Sequence, residues 1–159
     1  MSTHSEPTTL RMFRRFQRLP GGLMLFSRAV CLQAPYFSSI SPRILALEPG
    51  RCEVRIRKRR AVTNHIGTVH AIAMCNMAEL AGGLMTDVSI PGSHRWIPKG
   101  MTVEYLKKAE TDLIASARID GELKLDEPFE LPALVEVKDT AGELVFRARI
   151  AMWVSPKKR

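Results

Sequence analysis

Apolar positions recur along this chain with two rhythms, one helical and one alternating, and each change of rhythm marks an element. Leu10, Phe13 and Phe16 interleave with Arg11, Arg14, Arg15 and Arg18 at i, i+3, i+4, i+7 spacing, which predicts a basic amphipathic helix behind a polar, flexible stretch over residues 1–9. Pro20 suits the first turn of a second helix, whose apolar residues run from Leu23 through Phe26 and Val30 to Leu32 and which Pro35 stops. Two alternating segments follow, Arg43 to Leu47 and Cys52 to Arg59, joined by a type II turn at Glu48-Pro49-Gly50-Arg51. From Val69 to Val88 apolar residues fall on nearly every side, the pattern of a helix buried all round. Gly82-Gly83 inside it costs ~1 kcal/mol per glycine relative to alanine, so a neighbour is expected to approach closely there.

Beyond Pro91-Gly92 alternation takes over in four groups: Met101 to Tyr105, Leu113 to Ile119, Leu131 to Val137 and Leu144 to Met152. These predict four strands of a meander. Helices first, one buried helix between strands, then antiparallel sheet is an α+β pattern, with the sheet wrapped around the long helix. The expected organisation is a single domain over residues 10–159, with N-terminal helices at 10–34, the central helix at 69–88 and the meander at 95–154.

Charge adds a question about partners. The 24 Lys+Arg against 16 Asp+Glu leave +8 over 159 residues, which invites nucleic acid, a membrane surface or a phosphorylated substrate. No recognition helix, zinc finger or aromatic-and-basic sheet face is readable, so nucleic acid is not expected. At 45% hydrophobic content the chain is too apolar for a disordered polycation. The three cysteines form no C-x-x-C pair and are odd in number, which fits a reducing cytoplasm better than a disulfide framework. Leu19 to Ser27 imitates the apolar part of a signal peptide, but Gly21, Gly22 and Arg28 interrupt it, and no apolar window reaches the ~18 residues of a spanning helix. For the N-terminal arginine stripe, solvation is the simpler expectation and weak contact with acidic headgroups the functional one.

Candidate chemistry gathers in Asn64-His65-Ile66-Gly67-Thr68-Val69-His70-Ala71-Ile72, which runs into the long helix. A helix start leaves backbone N–H groups unpaired at the positive end of the dipole, so the amides near His70, Ala71 and Ile72 are candidates for polarising a carbonyl. Glu79 follows in a helix that otherwise excludes charge until Asp87; it is either paired with an arginine or Asn76, or tuned by burial as a base. His70 and His65 read equally as caps or core hydrogen-bonding groups, and Asn64 as a turn residue. No metal-ligand spacing is present, Cys75 lacks an activating base, and no cofactor is expected.

The run Asn64-x-x-Gly67-Thr68-Val69-His70, with Glu79 nine residues after the histidine, resembles the active-site segment of hotdog-fold acyl-CoA thioesterases of the phenylacetyl-CoA thioesterase type. Ala34-Pro35-Tyr36-Phe37, Trp96-Ile97-Pro98-Lys99-Gly100 and Val103 to Ala109 are similar to a bacterial branch of that superfamily classed as a domain of unknown function. The resemblance spans roughly Leu10 to Val154. It implies a hotdog fold, a homodimer or dimer of dimers, and hydrolysis of an acyl-CoA or acyl-carrier thioester. The Ala71 amide would polarise the thioester carbonyl, Asn64 would orient substrate or water, Glu79 of the neighbouring subunit would be base or nucleophile, and His70, the histidine of the motif, would stand with them among the catalytic residues. Gly67, Arg59, Lys107 and Lys108 would bind substrate, the basic residues, with Lys99 nearby, meeting the phosphates of CoA. Two positions depart from that pattern: Ala71-Ile72 replaces Gly-Gly, and Lys107 stands where some relatives carry serine or threonine. Two other readings remain open, a hotdog dehydratase using His65 and Glu79, and a non-catalytic dimer that binds acyl chains.

Overall fold

The computed structural model describes residues 6–158, which form one six-stranded antiparallel sheet and three α-helices. The strands are β1 (Arg43–Glu48), β2 (Arg51–Ile56), β3 (His94–Tyr105), β4 (Leu113–Ile119), β5 (Phe129–Lys138) and β6 (Leu144–Pro156), in the order β1-β2-β4-β5-β6-β3. Helices α1 (Thr8–Phe16) and α2 (Gly22–Gln33) precede them, and α3 (Ala71–Ser89) lies against the sheet, touching all six strands. Of the stretch expected to be flexible, residues 1–9, part lies outside the described residues; Thr8 and Thr9 already belong to α1, and Thr9 Oγ1 donates to Asp87 Oδ2 at 2.7 Å.

The alternating positions became the buried face of the sheet, with Val54, Leu113, Ala115, Val135, Ala148, Ile150 and Met152 withdrawn from solvent against Met77, Ala81 and Met85 of α3. The close approach expected at the paired glycines is present. A Cβ on Gly83 would stand 2.7 Å from Cη2 of Trp96, and one on Gly82 would stand 3.1 Å from Ile150 Cδ1. Trp96 is held over the helix by its Nε1–H, which donates to Asp87 Oδ1 at 3.2 Å. The α1–α2 pair closes the structure by burying Leu10, Phe13, Phe26 and Val30, with Phe13 edge-on to Phe26 at 5.1 Å. The α1 arginines stay at the surface.

Three expectations need correction. The four alternating segments are not one meander: β4-β5-β6 are, but β3 pairs with β6 and stands at the far edge. Alternation identifies a strand and its buried face and carries no information on its neighbour. Strand β2 stops at Ile56, because Asp112 Oδ1 accepts the Lys58 amide at 2.8 Å and draws the chain out of the ladder before Arg59. Helix α3 is not buried all round: Ile72 and Glu79 are exposed and Cys75 is half-buried, forming an outward stripe that no segment of the described chain covers.

The two sheet edges differ. Along β1 the backbone N–H of Ile44 donates to Ser27 Oγ of α2 at 2.9 Å, and that hydroxyl donates in turn to Leu23 O at 2.7 Å. Beyond β3 there is no further strand among the described residues.

Candidate active site

The loop before α3 is built by one side chain. Asn64 Oδ1 accepts the amides of Ile66 at 3.2 Å and Thr68 at 3.0 Å, while Nδ2 donates to Thr68 Oγ1 at 2.8 Å. Gly67 supplies the left-handed residue of the turn, with φ +80°, and its amide donates to Asn64 O at 3.1 Å. Asn64 thus has the contacts of a turn residue. The loop is moored on both sides, by Val69 N–H to Ala109 O and His70 N–H to Val62 O, each 2.8 Å.

At the start of α3 the sequence offered the amides near His70, Ala71 and Ile72, and the geometry separates them. That of His70 is spent on Val62. That of Ile72 donates to Nδ1 of His70 at 3.0 Å, so His70 is the helix cap. Ala73 and Met74 donate to His70 O at 3.0 and 3.2 Å. The Ala71 amide alone in this turn has no acceptor among the described residues, and it sits at the positive end of a 19-residue helix.

Ala71 lines a cavity of about 360 Å³ with Asn64, Thr68, Tyr105, Lys107 and Lys108. Glu79 opens into a second cavity, of about 370 Å³, whose wall includes Ile72, Cys75, Tyr36 and Met101. The seam between them is marked by Cys75, whose Sγ lies 3.7 Å from the Tyr105 hydroxyl. That contact, with partial desolvation, raises the Tyr105 phenol above its ordinary range.

Glu79 is exposed in the single chain and makes no ion pair among the described residues. Burial, which was expected to tune it, is not supplied by its own chain. Its expected partner Asn76 donates instead to Ser39 Oγ at 3.1 Å.

The basic residues expected together are apart. Lys107 and Lys108 reach the Ala71 cavity, with Lys107 paired to Glu143, whose carboxylate raises the ammonium pKa. Lys99 turns away and lies 4.6 Å over the Trp153 ring. Arg59 borders a different cleft and donates from Nη2 to Ser39 O at 2.7 Å. His65 is exposed and lines neither cavity.

Thr68, Tyr105, Met101 and Tyr36 are wall residues that the sequence reading passed over. Met101 and Tyr105 carried a signal, since they alternate on β3 and remain exposed as large side chains.

A family model described as a domain of unknown function, DUF4442, matches residues 22–154. The crystal structure of structural-genomics target APC5556 is similar at 47% identity, covering 94% of this chain and 99% of that one, with a TM-score of 0.81. A Pseudomonas aeruginosa protein of unknown function, PA5026, also described as "Probable Thioesterase", is 25% identical over 87% of this chain and 97% of that one, with a TM-score of 0.75. A thioesterase family protein from Silicibacter pomeroyi shares the fold at 18% identity, covering 82% and 96% of the two chains, with a TM-score of 0.72. Among curated proteins, none matches the sequence. The α+β arrangement is therefore the hotdog fold of thioesterase-like proteins, and the chain belongs to the DUF4442 family.

Proposed function

We propose that this protein hydrolyses an acyl-CoA or acyl-carrier thioester at a site completed by a second copy of the chain. The observation that carries the reading is the Ala71 amide: an N–H unengaged among the described residues, at a helix N-terminus, on a residue that lines a cavity. A thioester carbonyl oxygen received there would develop its negative charge against the N–H and the helix dipole. Attack requires a base within hydrogen-bond reach of the reacting water. Glu79 of the same chain is eight residues on, about 12 Å along the axis at 1.5 Å per residue, which is too far. Glu79 of a neighbouring copy is the alternative, and the bare edge of β3 with exposed Ile97, Met101 and Tyr105 supports such pairing.

In that site the Glu79 carboxylate takes a proton from water as the oxygen bonds to the carbonyl carbon. The tetrahedral oxyanion rests on the Ala71 N–H. Collapse breaks the carbon–sulfur bond, the thiolate receives the proton back from Glu79, and free acid and thiol leave. No cofactor enters this scheme.

The exposed side chain of Ile72, which lines the Glu79 cavity, favours a second reading, retention of an acyl ligand without turnover. The test is thiol release from short, medium, long and aromatic acyl-CoAs by wild type and Glu79→Gln. Turnover lost in the variant supports hydrolysis. Saturable acyl binding without turnover supports the second reading, and equal rates in both proteins remove Glu79 from the chemistry.

A further inference from the structure

A cleft of about 670 Å³, larger than either of the cavities above, is enclosed by α2, β1 and the end of β2, and five of its walls are arginines, Arg28, Arg43, Arg55, Arg57 and Arg59. No carboxylate lines it. The sheet register sets Arg43 directly opposite Arg55, and like charges facing each other across a ladder are unfavourable unless something neutralises them. Arg55 has Asp112, 2.8 Å from its Nη2. Arg28, Arg43, Arg57 and Arg59 have no acidic partner within ion-pair distance among the described residues. Arg59 adds a sharper point: Nη2 is satisfied by Ser39 O, but Nε is buried with no acceptor among the described residues, and a buried donor left unpaired is costly.

We infer that this cleft binds a small molecule through a pyrophosphate or phosphomonoester group, held by the Arg28, Arg43, Arg57 and Arg59 guanidinium groups. Phosphate suits the set because one phosphoryl group accepts forked N–H pairs from several arginines at once. A concave wall built on α2 and two strands fits a compact anion. Its lining contains no aromatic ring on which a base could stack, so recognition is of the phosphate. The inference does not rest on thioester hydrolysis. Two sources carry the required chemistry, the nucleotide end of CoA and an independent nucleotide or phosphate ester.

Isothermal titration of the full chain with inorganic pyrophosphate, ADP and CoA tests the site directly. Wild type is expected to bind pyrophosphate saturably, with affinity reduced by added salt. Arg43→Gln with Arg57→Gln should weaken binding by ~10-fold or more, because each lost charged hydrogen bond is separately significant. Arg118→Gln, outside the cleft, should leave it unchanged. Arg57→Lys, which keeps the charge and loses the fork, serves if the double variant does not fold, and should weaken binding several-fold. Displacement of pyrophosphate by CoA assigns the site to the CoA phosphates; CoA binding without displacement assigns it to a separate ligand, and both support the site. No saturable binding of any of the three, or equal affinity in wild type and the cleft variants, overturns it.

Discussion

His70 and Ile72 are joined by one hydrogen bond, Ile72 N–H to His70 Nδ1 at 3.0 Å, and that bond decides which amide of the helix start stays open. The histidine therefore caps the helix through its Nδ1. His70→Ala is expected to cost about 0.5–2 kcal/mol of stability, as loss of a side-chain cap does, and His70→Asn to recover most of it. Urea denaturation of the three proteins measures this, and a loss of turnover in His70→Asn as large as in Glu79→Gln would contradict the capping role.

Ala71 permits a sharper experiment. It is the first residue of α3, where proline is accommodated, and His70 before it has φ −62° and ψ 139°, which a following proline favours. Ala71→Pro deletes the open N–H with little else. Thioester turnover is expected to fall about 10²–10³-fold, the usual effect of losing an oxyanion donor, while the melting temperature stays within a few degrees. Full activity in a folded Ala71→Pro protein would move the oxyanion site elsewhere.

The paired glycines should respond unequally to alanine. At Gly83 the new methyl meets the rigid Trp96 ring at 2.7 Å, and overpacking of that kind costs about 1–3 kcal/mol. At Gly82 the nearest atoms are the ends of Ile150 and Met152, at 3.1 and 3.3 Å, which can turn aside, and alanine gains up to ~1 kcal/mol of helix propensity. Thermal unfolding should rank Gly83→Ala clearly below Gly82→Ala; the reverse order would mean that Trp96 swings away freely.

Asp112 ties β2 to the β3–β4 connection. Arg55 beside it, with the Lys58 amide, holds its carboxyl below the ordinary 3.8. A depressed folded pKa contributes stability that is present above the unfolded value and lost as pH falls through the folded one. Wild type should therefore lose stability below about pH 4 more steeply than Asp112→Asn. Parallel acid limbs in the two proteins would show the pair to be without consequence.

The three thiols differ in access. Cys52 is fully buried, and burial raises its thiol far above the ordinary range, whereas Cys75 borders the Glu79 cavity. Iodoacetamide on native protein should label Cys75 well before Cys52, by peptide mapping, and a bound acyl ligand should protect it. Equal labelling would mean that the β2 core opens readily.

Much of this was legible in the chain because local patterns carry local physics. The stripe of α1, the buried face of β2 and the glycine contact at α3 all follow from spacing, and the orphaned amides of a helix start limited the choice to those near His70, Ala71 and Ile72. What was not legible depends on partners distant in sequence. Alternation at Met101, Val103 and Tyr105 does not state that β3 lies beside β6. Arg59 and Lys107 both read as basic residues near one site, yet the exit of the chain from β2 at Ile56 carries Arg59 into another cleft. Apolar residues on every side of α3 suggested burial by its own fold, whereas Ile72 and Glu79 are exposed in the single chain.

The hydroxyl of Ser27 has a consequence for how copies of this chain can add to one another. It takes up the Ile44 amide on the outer side of β1, so that donor is not free for an added strand, while no such cover lies on β3 among the described residues. Were two copies to join strand to strand through β3, a β1 with its Ile44 amide already taken would stand at both outer ends. Growth of such a sheet past two chains would first have to break the Ser27–Ile44 bond.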